Sequence, residues 1–458
     1  MTGPGASLVR SDATAIPLGD NTVDLIVTSP PYFALRSYQD GGEHYGGQIG
    51  SEDTPTAFLE ALWAVTAECW RVLKPTGSLF VNLGDKYVGS AVVGSGGKGE
   101  ASKVHGGGSN LKANTQSDGR RVTYGATRAK SLMGLPWRYA IGCIDGQADP
   151  DGCGWVLRSE IVWSKPNGLP ESVTDRVRRS HEQWFHLTKE GRYYSNVDEV
   201  RENYSDRVIE SQKYVGRDIE AGGKYAGSGL NADGSKGILG LGSKGMNPLG
   251  KLPGSVWTVP TQPLIVPDWL DVDHFAAFPT EWPRKLILGW TPSGICTVCG
   301  EGRRSTTDKT VGNPGYSIDQ RERTSISGGP PTGGNVTRVI TGEACGCPDT
   351  SAPTTPAIVL DPFGGTGTTA MVAKALGRYG ISLDLSADYL KLARWRVFDS
   401  GHADKAIART NTEAQLDIFG TLNGPQIVEE AGRPAAALDT PEVVSAASGE
   451  PAPTTQEN

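Results

Sequence analysis

Two strand-helix-strand units, one near each end of the 458-residue chain, limit the folds that it can adopt. Each unit has a short apolar strand, a helix with apolar residues at helical spacing and a second strand: 24–27, 54–74 and 78–82 in the first, 357–360, 368–376 and 379–383 in the second. Strands that are joined through a helix lie parallel in one sheet. The sequence therefore predicts an α/β fold with a doubly wound, mostly parallel sheet that carries insertions.

The first strand of the first unit runs into the stretch Ser29-Pro30-Pro31-Tyr32. Prolines lack a backbone donor and restrict the residue before them, so a strand stops where they begin. The result is a stiff exit loop, and a stiff loop is suited to presenting side chains to a ligand. An inert turn is the alternative interpretation.

The second unit carries a glycine-rich turn between its first strand and its helix. The turn and the helix start contain Asp361, Phe363, Gly364, Gly365, Gly367 and Thr368. Glycines let the backbone approach a ligand, and the free amides at the helix start attract a carboxylate or phosphate. Asp384 ends the next strand, where a doubly wound fold places an acid for ribose hydroxyls. Because no lysine follows the glycines, S-adenosylmethionine fits better than a nucleoside triphosphate, and a purely structural corner is the alternative.

With these two motifs, the chain resembles the DNA amino-methyltransferases, which methylate the exocyclic nitrogen of cytosine or adenine. That family pairs a glycine-rich cofactor turn with a (Ser/Asp/Asn)-Pro-Pro-(Tyr/Trp) catalytic loop, and here the loop comes first, similar to the permuted β-type order. Other family-like stretches lie between the motifs: Trp163-Ser164-Lys165-Pro166-Asn167, Arg176, His181-Glu182 and the run from His274 to Pro279. The resemblance covers most of residues 8–400 and implies a circularly permuted, Rossmann-like methyltransferase fold.

The resemblance also implies residue roles. Ser29, Pro30, Pro31 and Tyr32 would form the catalytic loop, which holds the amino group of a flipped base toward the methyl group of S-adenosylmethionine. Asp12 would contact the adenine amino group of the cofactor, while Phe278 and Pro279 would line its methionine end. Serine at position 29 favours cytosine N4 slightly over adenine N6. A catalytically inactive DNA-binding module on the same fold and an RNA methyltransferase remain alternatives.

Two close cysteine pairs flank a polar, glycine-rich segment. The pairs are Cys296 with Cys299 and Cys345 with Cys347. Four thiolates in this pattern can surround Zn²⁺ tetrahedrally, and nothing nearby resembles an open catalytic site. The sequence therefore predicts a structural zinc ion that fastens a loop near the cofactor turn or the DNA, with unpaired or disulfide-linked cysteines as the alternative.

Charge is distributed unevenly along the chain. Of the formal charge of −7, a net −5 lies in residues 425–458, and residues 91–130 carry a net +5 that suits a phosphate backbone. The predicted organisation is 1–90, catalytic half of the methyltransferase domain; 91–130, flexible basic insertion; 131–210, sheet continuation; 211–255, Gly-rich candidate target-recognition insertion; 256–295, cofactor-side segment; 296–347, zinc-binding insertion; 348–424, cofactor-binding half; and 425–458, disordered acidic tail.

The expected partner is double-stranded DNA. No apolar run approaches the roughly 20 residues that span a bilayer, and the first residues lack the pattern of a signal peptide, so we expect a cytoplasmic protein without a membrane partner. A homodimer and a cognate restriction endonuclease are left open by the sequence.

Overall fold

The computed structural model describes residues 3–34, 39–40, 43–44, 48–88, 128, 130–168, 170–171, 173–204, 247, 249–270, 272, 277–311, 336–347, 351–399 and 401. The basic insertion predicted over 91–130 lies outside these ranges except for residues 128 and 130. The Gly-rich insertion predicted over 211–255 is described only at 247 and 249–255, and the acidic tail over 425–458 lies outside entirely. The interpretations of these segments therefore stay predictions.

Fourteen strands and five α-helices make up most of the regular structure of the described residues. The strands are β1 (Gly5–Arg10), β2 (Val23–Thr28), β3 (Gln39–Asp40), β4 (Glu43–His44), β5 (Leu73–Leu83), β6 (Val156–Ser164), β7 (His181–Thr188), β8 (Val256–Thr258), β9 (Ile295–Cys296), β10 (Arg304–Val311), β11 (Val336–Ala344), β12 (Thr354–Thr355), β13 (Ile358–Asp361) and β14 (Tyr379–Asp384). The helices are α1 (Pro55–Val72), α2 (Leu135–Ile144), α3 (Glu281–Trp290), α4 (Thr368–Ala375) and α5 (Ala387–Arg394). None of these helices has both the length and the apolar character that crossing a lipid bilayer requires.

Eight strands form the central sheet, in the order β1-β14-β13-β2-β5-β7-β6-β8. The pairs from β1 to β5 are all parallel, β7 runs antiparallel to both of its neighbours, and β8 is parallel to β6. Strands from the two ends of the chain therefore lie side by side, with β13 next to β2. The predicted α/β fold with a mostly parallel, doubly wound sheet is confirmed.

Helices cover both faces of this sheet because alternate side chains of each strand point to opposite faces. In β2, Ile26 packs in the core that contains α1 and α2, whereas Leu25 and Val27 pack in the core that contains α3 and α4. In the second core, the indole of Trp282 stacks on Trp184 and Trp257, with ring centroids 4.8 and 5.0 Å apart. These aromatic contacts fix α3 against β7 and β8.

The predicted boundary between α1 and the next strand was wrong by several residues. The prediction placed helix up to 74 and strand from 78, but α1 ends at Val72 and β5 begins at Leu73. Pro75 disfavours helical backbone at the residue before it, and the buried Leu73 is already extended and pairs with Val23. The strand therefore runs through the Pro-Thr-Gly stretch that the prediction interpreted as a turn.

Candidate active site

The two predicted motifs meet at the point where the winding of the sheet reverses. From β13 the chain turns to β14 on one side, and from β2 it passes through α1 to β5 on the other side. Ligands of open α/β sheets bind at the carboxyl ends of the strands at such a switch point. The hydroxyl of Thr28, at the end of β2, donates to Asp361 Oδ1 at the end of β13 over 2.7 Å, across 333 sequence positions.

One cavity of about 560 Å³ opens at this edge, a size typical of small-molecule sites. It is lined by most of the predicted site residues: Asp12, Ser29, Pro30, Pro31, Tyr32, Phe278, Phe363, Gly364, Gly365, Thr368 and Asp384. Three predicted cofactor residues, Pro279, Asp361 and Gly367, are not among the described residues that line it. The catalytic loop and most of the glycine turn therefore share one cleft.

The glycine turn is shaped by close contacts and by its acid. A Cβ atom on Gly364 would lie 1.7 Å from Ser382 Oγ, so no larger residue fits there, and Gly365 has a positive φ of 48°. Gly365 N donates to Asp384 Oδ2 over 2.9 Å, and Ser386 N donates to Asp384 Oδ1 over 2.8 Å. A carboxylate group can accept several hydrogen bonds at once, so Asp384 can hold the turn and also accept from a ligand in the cavity.

Asp12 lies beside this turn, because β1 pairs with β14 and Ser11 N donates to the carbonyl of Asp384 over 3.2 Å. Its Oδ1 accepts from the amide and the hydroxyl of Thr14, at 2.8 Å each. Two carboxylates on one wall suit a ligand that presents hydroxyl and amino donors, as the nucleoside of S-adenosylmethionine does. The residues present therefore fit this cofactor.

Two of the predicted cofactor residues that do not line the cavity, Pro279 and Gly367, make contacts within the protein. Pro279 precedes α3, and its carbonyl accepts from Trp282 N over 3.2 Å. At Gly367, the N-cap of α4, φ is 73° and an added Cβ would lie 3.0 Å from both Ala393 and Val397. Phe278, in contrast, lines the cavity and meets Trp184 edge-on at 5.8 Å.

Asp361 is buried behind the turn, with 1% of its surface exposed. Besides Thr28, it accepts from Thr369 Oγ1 at 2.9 Å and from Phe363 N at 3.1 Å, so it joins both motif-bearing strands to the start of α4. Burial raises the pKa of this carboxyl to about 6, although these hydrogen bonds oppose the shift.

Asp361 should therefore give the folded chain a specific pH dependence. Between about pH 4 and 6 the folded state holds a proton that the unfolded state has released, so this group's contribution to stability falls as the pH rises through that window. The free energy of unfolding of Asp361→Asn minus that of the unmodified chain should therefore be about 2 kcal/mol larger at about pH 7.5 than at about pH 4.5. Urea titrations of both proteins measure this difference, and a constant difference across that range would contradict it.

A third neighbouring strand contributes to the catalytic loop. Asn82, buried near the end of β5, accepts at Oδ1 from Ser29 Oγ at 3.2 Å, and Tyr32 OH lies 2.8 Å from the same atom. The phenol also lies 2.9 Å from Glu182 Oε2, and its single proton serves one of these acceptors at a time. A Cβ on Gly84 would lie 2.7 Å from the Tyr32 ring, so the glycine leaves room for it. The sequence predictions missed Asn82. Its position at the carboxyl end of the next parallel strand, where ligand sites form, could have indicated a role in the site.

A buried cation, also missed from the sequence, stands behind the turn. Arg396 Nη1 donates to the hydroxyls of Thr366 at 2.7 Å and Thr368 at 2.6 Å, and both threonines line the cavity. Burial lowers the pKa of Arg396 to about 10, which leaves it protonated at neutral pH. Together with the start of α4, this charge favours an anionic group, such as an amino-acid carboxylate, at that end of the cavity.

The four cysteines of the predicted zinc site come together. The Sγ atoms of Cys296, Cys299, Cys345 and Cys347 all lie within 4.8 Å of one another, and the Cys296 and Cys347 sulfurs are 3.8 Å apart. Amide N–H groups of Cys299 and Val298 lower the pKa of the Cys296 thiol to about 6.

Of the two predicted locations of this cluster, near the cofactor turn or near the DNA, the first was wrong. Cys296 lies in β9, which pairs with β12 just before β13 begins, and the preceding Thr291 carbonyl accepts from Arg378, which precedes β14. These segments enter the sheet at the amino ends of the parallel strands, whereas the cavity lies at their carboxyl ends. The cluster therefore lies at the edge of the sheet opposite the cavity.

Geometry of this kind defines a class of protein. Enzymes that move a methyl group from S-adenosylmethionine to the amino group of a base need a nucleoside site and a base site that open into each other. Here a glycine turn with two carboxylates and a Ser-Pro-Pro-Tyr loop face one cavity of a doubly wound sheet. This combination of sites is typical of the S-adenosylmethionine-dependent amino-methyltransferases.

Comparison with known proteins identifies the family. The model of the DNA methylase family N6_N4_Mtase matches residues 23–297 and 352–394, and the chain belongs to this family. The type II methyltransferase M.Cfr9I of Citrobacter freundii is 34% identical over 298 residues, which are 63% of this chain and 74% of that protein. M.SmaI of Serratia marcescens is 27% identical over 83% of this chain and 86% of its own length. The chain is therefore an S-adenosylmethionine-dependent DNA methyltransferase.

Among solved structures, the PvuII DNA methyltransferase (cytosine-N4-specific) is similar with a TM-score of 0.45 and 14% identity, over 91% of this chain and 94% of that one. The match to the family model stops at 297 and resumes at 352. Most of the cysteine-bearing segment, with the β10–β11 hairpin, falls in that gap and is an insertion relative to the family model.

Proposed function

We propose that this chain methylates the exocyclic amino group of a base flipped out of double-stranded DNA, with cytosine N4 preferred over adenine N6. The observation that carries the proposal is the single cavity that joins the Ser29–Tyr32 loop to the glycine turn and Asp384. A base amino group held at one end of this cavity can face a methyl group bound at the other end. The preference for cytosine rests on serine at position 29.

The loop acts on a poor nucleophile, because the lone pair of a base amino group is delocalised into the ring. Ser29 Oγ donates its own proton to Asn82 and so keeps lone pairs for an N–H of the amino group. The Pro30 carbonyl, beyond the last residue of β2, would accept the second N–H. When bound, S-adenosylmethionine supplies a methyl group that its sulfonium charge has activated. The contribution of the protein is therefore positioning and electrostatics.

The proposal includes base flipping, because an enzyme cannot reach the amino group of a base that is stacked inside a duplex. Extrusion costs a few kcal/mol. Stacking on an aromatic ring returns about 1–3 kcal/mol per base, and Tyr32 presents such a ring at the cavity wall. Because cost and gain are of similar size, the ring should decide whether the flipped base is held long enough to react.

The test is the modified base itself. The full chain is expressed in cells without DNA methyltransferases of their own, and their DNA is sequenced with a readout of N4-methylcytosine and N6-methyladenine. We expect one modified cytosine in nearly every copy of a short sequence, and none with Ser29→Ala. Unmodified DNA from a chain that binds DNA would indicate the inactive binding module. Transfer of labelled methyl to RNA but not to DNA would indicate an RNA methyltransferase.

We also infer that the four-cysteine cluster binds a structural Zn²⁺ ion. A tetrahedral site with Zn–S bonds near 2.3 Å requires sulfurs about 3.8 Å apart, which the spacing of Cys296 and Cys347 matches. Four sulfur ligands would leave no open position for a catalytic water. Its role would be to hold the β9–β12 ribbon and the ends of the β10–β11 hairpin together.

Loss of the metal should lower stability without removing the methyl-transfer site. We expect chelation or Cys296→Ser to lower the melting temperature by about 5 °C, because the Zn²⁺ ion that cross-links the four cysteines is then lost or held less firmly. The matched control is Cys153→Ser, an exposed cysteine outside the cluster. Elemental analysis of the purified chain should give one zinc per molecule, and a fully stable protein without zinc would remove this inference.

A restriction partner is a further proposal. The relatives named above are called type II methyltransferases, and we infer that this chain protects its recognition sequence from a cognate restriction endonuclease. DNA modified by the chain should resist an endonuclease that cuts the sequence found by methylation sequencing, and unprotected DNA would contradict the inference.

A further inference from the structure

Among the described residues that line the cavity, Lys165 is the one cationic side chain. We propose that Lys165, oriented by Glu182, reads the ring of the flipped cytosine by donating to its N3 and O2 acceptors. This inference rests on the proposed function, because it concerns the base that the Ser29 loop holds. Lys165 and Glu182 belong to the family-like stretches 163–167 and 181–182, which lie outside the catalytic loop and the cofactor turn. The inference gives these stretches a role in specificity.

The backbone fixes the position of Lys165. Strands β6 and β7 are antiparallel, with Trp163 opposite Glu182, and Lys165 N donates to Ser180 O over 2.8 Å, which extends the ladder past the end of β6. Residues two apart in a strand share a face, so Trp163 and Lys165 lie on the same side of the sheet as Glu182. All three line the cavity near Tyr32.

Two neighbours orient the ammonium group. Glu182 Oε1 accepts from Lys165 Nζ, and the ammonium lies 4.1 Å from the centroid of the Trp163 ring. The side chains of Lys165 and Glu182 are 19% and 17% exposed, so the pair is partly withdrawn from water yet open to the cavity. An ammonium group has three N–H donors, and the salt bridge uses one of them. The others can serve a ligand.

The carboxylate that orients Lys165 also contacts the stacking ring. Glu182 Oε2 lies 2.9 Å from Tyr32 OH, and Tyr32 OH lies 2.8 Å from the Asn82 oxygen that Ser29 contacts. The donor for the ring and the acceptors for the amino group therefore belong to one hydrogen-bonded network. A base stacked on Tyr32 with its amino group at Ser29 would direct its adjacent ring edge along this network.

The chemistry of the two bases gives this donor a preference. Both have a ring nitrogen acceptor next to the amino carbon, N3 in cytosine and N1 in adenine. Beyond it, cytosine has the carbonyl O2, whereas adenine has a C–H group that accepts nothing. A multi-donor cation at this edge thus finds two acceptors on cytosine and one on adenine. Charge-assisted hydrogen bonds are the stronger ones, so the difference favours cytosine.

The test combines a protein change with a base change in the full chain. The duplex carries the site found by methylation sequencing, with the target cytosine either intact or replaced by 3-deazacytosine, which lacks the N3 acceptor. We expect the analogue to lower the single-turnover rate of the unmodified chain about 10-fold or more. Lys165→Met should lose a similar factor on cytosine and lose less than about 3-fold further on the analogue, because the two changes remove the same contact.

Controls separate reading of the base from folding and from charge. Lys285→Met removes a matched lysine that pairs with Glu281 at 3.5 Å and lies 5.1 Å from the Trp257 ring, outside the residues that line the cavity. It should keep the unmodified rate. Lys165→Arg keeps the cation and should recover part of the rate. Affinity for S-adenosylmethionine and the melting temperature should stay unchanged in all three variants.

The positioning role of Glu182 has its own readout. Glu182→Gln keeps an acceptor for Tyr32 but removes the charge that holds Lys165, so the variant should respond to 3-deazacytosine less strongly than the unmodified chain. Melting temperature alone would not report this change.

Three results would overturn the inference: full activity of Lys165→Met, full sensitivity of Lys165→Met or Glu182→Gln to the analogue, or adenine as the methylated base. In each case methyl transfer to an amino group would still stand. Failure of the proposed function would look different, because the unmodified chain would then leave every duplex unmethylated.

Discussion

Replacing Tyr32 by alanine is expected to slow methyl transfer to DNA by about 100-fold while the affinity for S-adenosylmethionine changes by less than about 3-fold. The ring offers the stacking face for the flipped base, worth about 1–3 kcal/mol, and its hydroxyl belongs to the network of Asn82 and Glu182. Its loss should therefore affect the base and spare the cofactor. Single-turnover rates and calorimetric titration with S-adenosylmethionine measure the two quantities separately.

Tyr32→Phe is the matched control, since it keeps the ring and removes the hydroxyl. We expect it to retain the rate within about 10-fold, because stacking is preserved and one hydrogen bond is lost. If Phe and Ala variants lost the same factor, the hydroxyl rather than the ring face would be the important group. Equal losses of rate and cofactor affinity in Tyr32→Ala would also contradict the assigned role.

Replacing Asp384 by alanine should have the opposite pattern and weaken S-adenosylmethionine binding by about 100-fold. Two backbone amides, from Gly365 and Ser386, donate to this carboxylate, and hydrogen bonds to charged groups contribute about 1.5–3 kcal/mol each. The change would loosen the glycine turn and remove the proposed acceptor for ribose hydroxyls. Calorimetric titration with S-adenosylmethionine measures the loss.

A cofactor analogue distinguishes these two effects. S-adenosylhomocysteine and its 2′-deoxy form are compared on the unmodified chain and on Asp384→Ala. If Asp384 accepts from the ribose, removing the hydroxyl should cost the unmodified chain affinity and cost the variant little more. Equal losses of affinity in both proteins would indicate that Asp384 holds the glycine turn but does not contact the ribose hydroxyl. Unchanged affinity in Asp384→Ala would exclude both roles.

The spacing of the cysteines predicted that they would cluster but could not predict where the cluster would lie. Spacing in the sequence predicted that the four thiols would meet, and their sulfurs lie within 4.8 Å of one another. The predicted location near the cofactor turn was wrong because a pair of cysteines says nothing about which edge of the sheet its loop joins. The short pairing of β9 with β12, ahead of β13, decided that point.

Features that depend on neighbouring residues could be predicted from the amino-acid sequence. Apolar runs, prolines and glycines act over a few positions, so the four strands of the two strand-helix-strand units could be predicted, apart from the start of β5. The same holds for the stiff Ser-Pro-Pro-Tyr loop, the tight turn at Gly364 and the acid at the end of β14. The class of fold followed from them, because strand-helix-strand units leave few alternatives to a parallel sheet.

Which of these residues share a site depends on how the strands are ordered in the folded chain. The pairing of β13 with β2 brings Asp361 to Thr28 and joins the glycine turn to the catalytic loop. It also buried Asp361 behind the turn, and the order β2-β5-β7-β6 brought Asn82, Glu182 and Lys165 to the Tyr32 network. The physical reason is that contacts between distant segments depend on strand order and burial, which no local pattern in the sequence records.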